Sequence, residues 1–230
     1  MMFSSAEWAA LQLSLQVSIC ASLLSLPVAV AMAWLLARYD FWGKSLVSAL
    51  VHLPLVLPPV VTGYGLLYLF GRQGPIGAFL EINFGLVLAF RWTGAALAAA
   101  VMAFPLMVRV IQQAIQALDP KLEEAAKTLG AGGAARFIQI VLPLIAPGIL
   151  AGAVLGFAKA IGEFGATITF VANIPGQTQT LPSAIYLFLQ VPGGESSALR
   201  LVILALIVAL GAVFVSDWLA RRVAKRIRNT

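Results

Sequence analysis

The chain is a series of long charge-free stretches separated by short charged ones. Residues 8–37 lie between Glu7 and Arg38, 45–71 between Lys44 and Arg72, and 92–108 between Arg91 and Arg109. Residues 137–158 lie between Arg136 and Lys159, and 201–216 between Arg200 and Asp217. Apolar residues precede the third window from Leu86, and Trp218 and Leu219 extend the fifth. A helix crosses a bilayer with roughly 20 mostly apolar residues, so the pattern predicts about five transmembrane helices. A sixth uncharged window, 164–194, is interrupted by Asn173, Pro175, Gly176, Pro182, Pro192 and Gly193, and is not counted as a simple span. The expected fold is an all-α, polytopic membrane helix bundle, one transmembrane domain over 1–230 with its core at about 11–219.

Composition excludes the main alternative. Of 230 residues, 61% are apolar and 10% charged, against about 45–50% and about 25% in soluble domains. Charge this sparse cannot cover a soluble globule of this size. The first window is too long for a secretory signal core and follows acidic Glu7 instead of a basic stretch, so it reads as a permanent helix. The lone Cys20 can form no internal disulfide and reads as a small packing residue.

The net charge of +6 is unevenly spread. Arg38 and Lys44 follow the first span; Arg109, Lys121, Lys127 and Arg136 lie between the third and fourth; Arg221, Arg222, Lys225, Arg226 and Arg228 fill the tail. The opposite side holds Arg72, Arg91, Lys159 and Arg200. The positive-inside rule places the first three groups in the cytoplasm, with the N-terminus outside and the C-terminus inside. The basic tail, 220–230, reads as a cytoplasmic anchor near anionic lipid, and no nucleic-acid partner is expected.

Small residues recur at four-residue steps: Ser14, Ser18, Ser22, Ser25, Ala29 and Ala33; Ala95, Ala99 and Ala103; Gly148, Gly152 and Gly156. Such stripes let helix backbones approach closely in lipid, so the spans pack as a bundle. Prolines mark the second span at Pro54, Pro58 and Pro59 and the fourth at Pro143 and Pro147. At an offset of 89 the two proline segments share Leu, Pro, Leu, Pro and Gly. Each proline frees a carbonyl one turn earlier, and broken helices are tolerated where they line a cavity or pack on protein. These prolines are therefore candidates for the pathway or its gate, or kinks needed only for packing. Glu163 follows Lys159 by four residues, which places an ion pair at the rim or a gate on the outer side. His52 alone is no metal site; no metal, cofactor or catalytic group is expected.

The segment between the third and fourth spans carries the most specific pattern. Asp119 is a good helix N-cap, Pro120 a good first residue and Gly130 a good stop. Leu118, Leu122, Ala126 and Leu129 share one face of a helix too short to be stable alone. It needs a surface to dock against, either membrane or a partner protein.

Glu124-Ala125-Ala126, Gly130 four residues later, then Ile140, Leu142 and Pro143, resemble the EAA loop of bacterial ABC importer permeases. The resemblance runs from about Leu11 to Leu219 and looks nearest to molybdate importer permeases, through His52 to Val61, Lys127 to Gly132, Gly162 to Val171, Asn173 to Gly176 and Pro192 to Ser196. It implies that 119–143 is a coupling loop leading into the fourth span, with Glu124, Ala125, Ala126 and Gly130 as the residues that meet a separate ATPase subunit. It further implies a homodimer of permease chains, two cytoplasmic ATP-binding subunits and an external oxyanion-binding protein in a bacterial cytoplasmic membrane. Gly43-Lys44-Ser45 ends like a Walker A loop, but position 38 is Arg where the motif needs Gly. The chain is therefore expected to be no enzyme. Sulfate, thiosulfate and tungstate permeases are the nearest alternatives; sulfate permeases usually carry an additional N-terminal helix. An ion-coupled transporter or channel would leave the loop unexplained, and an attached regulatory domain is not expected after the last span.

Overall fold

A computed structural model of the chain describes residues 4–228. In chain order the helices are α1 (Ser5–Arg38), α2 (Lys44–Val56), α3 (Pro59–Phe70), α4 (Pro75–Phe84), α5 (Trp92–Gln116), α6 (Pro120–Thr128) and α7 (Gly133–Arg136). A π-helical turn (Phe137–Val141) leads into α8 (Leu142–Ile161), followed by α9 (Gly165–Val171), α10 (Leu181–Gln190) and α11 (Glu195–Arg228). No strand occurs among the described residues. Four helical stretches are long and apolar enough to cross a membrane, or five if the bent pair of α2 and α3 is counted as one span.

The small-residue stripes are the contact faces. Ser14, Ser18, Ser22, Ser25, Ala29 and Ala33 are all buried on α1, which packs along α5. Ala95, Ala99 and Ala103 have no exposed surface at all. The glycines of α8 also pack against α5. A Cβ at Gly156 would stand 2.5 Å from Met107 Sδ, and one at Gly152 would stand 3.0 Å from Ile111 Cγ1. Helix α5 is thus the central post, held by backbone proximity, because lipid supplies no hydrophobic drive between helices. Leu23, Leu24, Leu206, Ile207 and Phe214 remain exposed on the outer faces of α1 and α11, as a lipid solvent allows.

Several polar groups inside the bundle are satisfied locally. Ser18 Oγ donates to Ser14 O at 2.7 Å and Ser25 Oγ donates to Ala21 O. Helix α1 begins with a capping box: Ser4 Oγ accepts from Glu7 N, and Glu7 Oε2 accepts from Ser4 N. Glu7, fully buried, also accepts from Arg200 Nη2 at 2.6 Å, joining the starts of α1 and α11. That pairing explains how α11 carries a charge inside an apolar stretch.

Two sequence expectations change. The second window is not one straight helix: the chain bends by 114° between α2 and α3, across Leu57 and Pro58. Pro58 and Pro59 both lack an N–H, so two successive carbonyls, those of Pro54 and Leu55, lose their helical donors. The fourth span does not break at its prolines. Helix α8 runs through Pro147, and the irregularity lies ahead of Pro143, where Leu142 N donates five residues back to Phe137 O. Helix α11 continues beyond the last apolar window to Arg228, with Arg222 lying over the Trp218 ring at 4.6 Å. The interrupted window 164–194 resolves into two short helices, α9 and α10.

Candidate functional site

The loop helix is built as its sequence dictates. Asp119 Oδ1 accepts from Lys121 N at 3.0 Å, supplying the N-cap of α6. At the other end Gly130 takes φ +83°, Gly130 N donates to Lys127 O and Ala131 N donates to Ala126 O. This pair of bonds around a left-handed residue is a Schellman stop, which glycine enters without a Cβ penalty.

The faces of α6 then separate. Ala126 is buried, so it anchors the helix inward and is not a surface contact. Glu124, Ala125 and Gly130 are exposed, and so are Leu122 (48%) and Leu129 (88%). The shared apolar face expected for Leu118, Leu122, Ala126 and Leu129 is therefore split: Leu118 and Ala126 turn in, and Leu122 and Leu129 are left uncovered. Ile138, on the turn that follows, is 60% exposed as well.

Underneath, α6 is tied to two other elements. Arg38 Nη2 lies 2.6 Å from Glu123 Oε1, at side-chain exposures of 20% and 22%. Neither atom makes a directed hydrogen bond, so this is a partly shielded ion pair. The Arg38 guanidinium sits 5.6 Å from the Trp34 ring, and Trp34 packs edge-on to Phe137 at 5.0 Å. The chain of contacts runs from α6 through the end of α1 into the π-helical turn and α8. The sequence places Arg38 by topology and Glu123 in the charged loop but does not pair them, because neither residue carries a local signal for a partner so distant in the chain.

The pathway candidates fall into two places. Pro58 and Pro59 form the elbow, and the elbow packs on α9: a Cβ at Gly165 would stand 2.7 Å from Pro59 Cβ, and one at Gly63 would stand 2.5 Å from Ala166 O. Glu163, immediately before α9, is buried; Oε2 pairs with Lys159 Nζ at 2.8 Å and Oε1 accepts from Ala166 N at 3.0 Å. It thus neutralises Lys159 near the end of α8 and caps the start of α9. Pro143 and Pro147 are not part of this cluster; they lie in the α6-proximal half of α8, whose Ile145 packs with Val108 and Ile111. Pro54 lines an apolar groove with Ser25, Met32 and Phe104. No group of three potential metal ligands occurs among the described residues.

Known proteins supply the comparison. The family model described as binding-protein-dependent transport system inner membrane component matches residues 25–229. The molybdenum transport system permease protein ModB of Escherichia coli (strain K12) is 56% identical over 221 residues, covering 96% of this chain and 96% of that protein. The sulfate transport system permease protein CysT of Salmonella typhimurium is 37% identical over 220 residues, covering 95% of this chain and 78% of that protein. Among solved structures, a bacterial alginate ABC transporter in complex with an alginate pentasaccharide-bound periplasmic protein shares the fold. Its TM-score is 0.77 at 21% identity, over 96% of this chain and 81% of that one.

Proposed function

We propose that this chain, which belongs to the family of binding-protein-dependent transport system inner membrane components, forms the membrane pathway for molybdate in an ATP-driven importer. The observation that carries the substrate is the 56% identity to a molybdenum permease along nearly the whole of both chains. The sulfate relative stands lower, at 37%, and is longer than this chain. Sulfate is therefore the second reading and the natural competitor in a test.

In this reading α6 is the plug that a separate ATP-hydrolysing subunit grips. Exposed Glu124, Ala125 and Gly130, flanked by Leu122 and Leu129, give it a charge, a close-approach surface and an apolar rim. Two permease chains, two ATPase subunits and an external oxyanion-binding protein complete the assembly, with the N-terminus outside and α6 inside. Movement of α6 reaches α1 through Arg38 and reaches α8 through Phe137. The α2–α3 elbow and α9, joined at Pro59 and Gly165, form the wall that opens, and the Lys159–Glu163 pair fixes the hinge between α8 and α9.

The test is uptake into proteoliposomes holding this chain with its ATPase and binding protein. ATP-dependent molybdate accumulation that excess sulfate does not displace is the expected result. Sulfate-preferring uptake, or uptake that survives loss of ATPase association after Glu124 and Gly130 are replaced, overturns it.

A further inference from the structure

At the end of the bundle remote from α6, charge is almost completely balanced. Lys159 pairs with Glu163 at 2.8 Å, Arg200 with Glu7 at 2.6 Å, and Arg72 reaches Glu81 at 4.0 Å. Among the basic residues at this end Arg91 is the exception: among the described residues no carboxylate lies within 4.0 Å of its guanidinium.

Arg91 lines a cavity of about 600 Å³ with Gln16 from α1, Trp92 and Thr93 from the first turn of α5, and Gly176 and Gln177 from the loop between α9 and α10. Its lining contains no Asp or Glu. Beside apolar Leu13, Leu86 and Val87, it carries several hydrogen-bond donors. Gln16 and Gln177 each offer an NH2 group, and the Arg91 guanidinium offers five N–H groups. The amides of Trp92 and Thr93, the first two residues of α5, have no carbonyl a turn earlier to bond. The Thr93 hydroxyl is buried and has no hydrogen-bond partner. Along α1, Gln16 and Arg38 are about 33 Å apart at 1.5 Å per residue, so the cavity and the coupling end lie at opposite ends of the bundle.

We propose that this cavity is a receiving site for a tetrahedral oxyanion, held by the Arg91 guanidinium with Gln16, Gln177, Thr93 and the first amides of α5. An uncompensated cation in a cavity lined by donors and by no carboxylate selects an anion. The proposal rests on the import reading for the identity of that anion as molybdate. One guanidinium, exposed on one side, binds weakly enough to release what it receives.

The experiment uses the complete reconstituted transporter with Arg91→Gln and Arg91→Lys. Arg91→Gln is expected to lower molybdate uptake roughly tenfold, the weight of one charge-assisted hydrogen-bonding group. Basal ATPase activity and binding-protein affinity should stay unchanged, and Arg91→Lys should recover a large part of the uptake. A second readout needs no transport: molybdate or sulfate added to the purified transporter should change the fluorescence contributed by Trp92, defined by subtraction of a Trp92→Phe variant, and Arg91→Gln should abolish the change. Undiminished uptake in Arg91→Gln overturns the proposal, and so does a fall in binding-protein affinity, which would assign Arg91 to a protein contact. If the wild-type complex moves no molybdate yet sulfate gives the Trp92 signal, the molybdate reading fails and the anion site stands. If neither anion gives the signal, the site fails.

Discussion

Arg38 Nη2 lies 2.6 Å from Glu123 Oε1, fastening the end of α1 to the loop helix α6. If α6 is the point where an ATPase grips, this pair brings α1 into the movement alongside α8. Neutralising either partner (Arg38→Gln or Glu123→Gln) should cost about 1 kcal/mol of coupling, since the pair is only partly shielded. That is a factor of about 5 in substrate-stimulated over basal ATPase rate. The reversed pair, Arg38→Glu with Glu123→Arg, should restore part of the loss, and a double-mutant cycle with no interaction energy would refute the role.

The ends of α6 provide an independent handle. Gly130→Ala places a Cβ at φ +83°, costing about 1 kcal/mol, although no atom stands near enough to clash. Asp119→Ala removes the cap, for about 1 kcal/mol more. Both should reduce co-purification of the ATPase while leaving the melting temperature of the isolated chain in detergent nearly unchanged. A lower melting temperature with intact co-purification would mean that α6 is a folding element instead.

Gly63 and Gly65 stand two residues apart on α3 and should respond oppositely. A Cβ at Gly63 meets Ala166 O at 2.5 Å, whereas one at Gly65 meets nothing within 4 Å. Gly63→Ala must therefore push α3 off α9 and destabilise by about 1–3 kcal/mol. Gly65→Ala should be neutral or stabilising by about 0.4–1 kcal/mol. Melting followed by size-exclusion chromatography in detergent reads both.

Ala172, between α9 and the loop that follows, adopts φ 61° and ψ −164°, a region open essentially to glycine alone. Relief of that strain, about 1–3 kcal/mol, exceeds the added chain entropy of a glycine, about 0.4–1 kcal/mol. Ala172→Gly should raise the melting temperature, and a fall would show the conformation to be unstrained.

Much of this was readable because the signals are local. Charge-free windows became helices because lipid accepts only internally bonded backbone, and the Ser14-to-Ala33 stripe became a contact face because only small side chains let α1 approach α5. Asp119 and Gly130 mark the ends of α6 by chemistry confined to one turn. The prolines were ambiguous for a physical reason. A proline announces a lost donor but not how the chain absorbs it: the doublet Pro58–Pro59 opens into an elbow, whereas a π-helical turn takes up Pro143 and α8 passes Pro147 unbroken. The pairs Glu7–Arg200 and Arg38–Glu123 lay beyond reach, since their partners are far apart in sequence and share no motif.

The elbow has a consequence for hydration. At 1.5 Å per residue α2 and α3 measure about 20 Å and about 18 Å, so neither arm alone can traverse a hydrocarbon core about 30 Å thick. A junction set at depth by the bend would hold there the carbonyls of Pro54 and Leu55, which have lost their helical donors. Solvent drawn to those oxygens would wet a spot that a straight helix would keep dry. Deuterium uptake by the amides beside it, at Leu57 and Val61, should then rise and fall with opening of the pathway while the rest of the bundle stays silent. The bend would make this stretch of backbone a built-in gauge of the transport cycle.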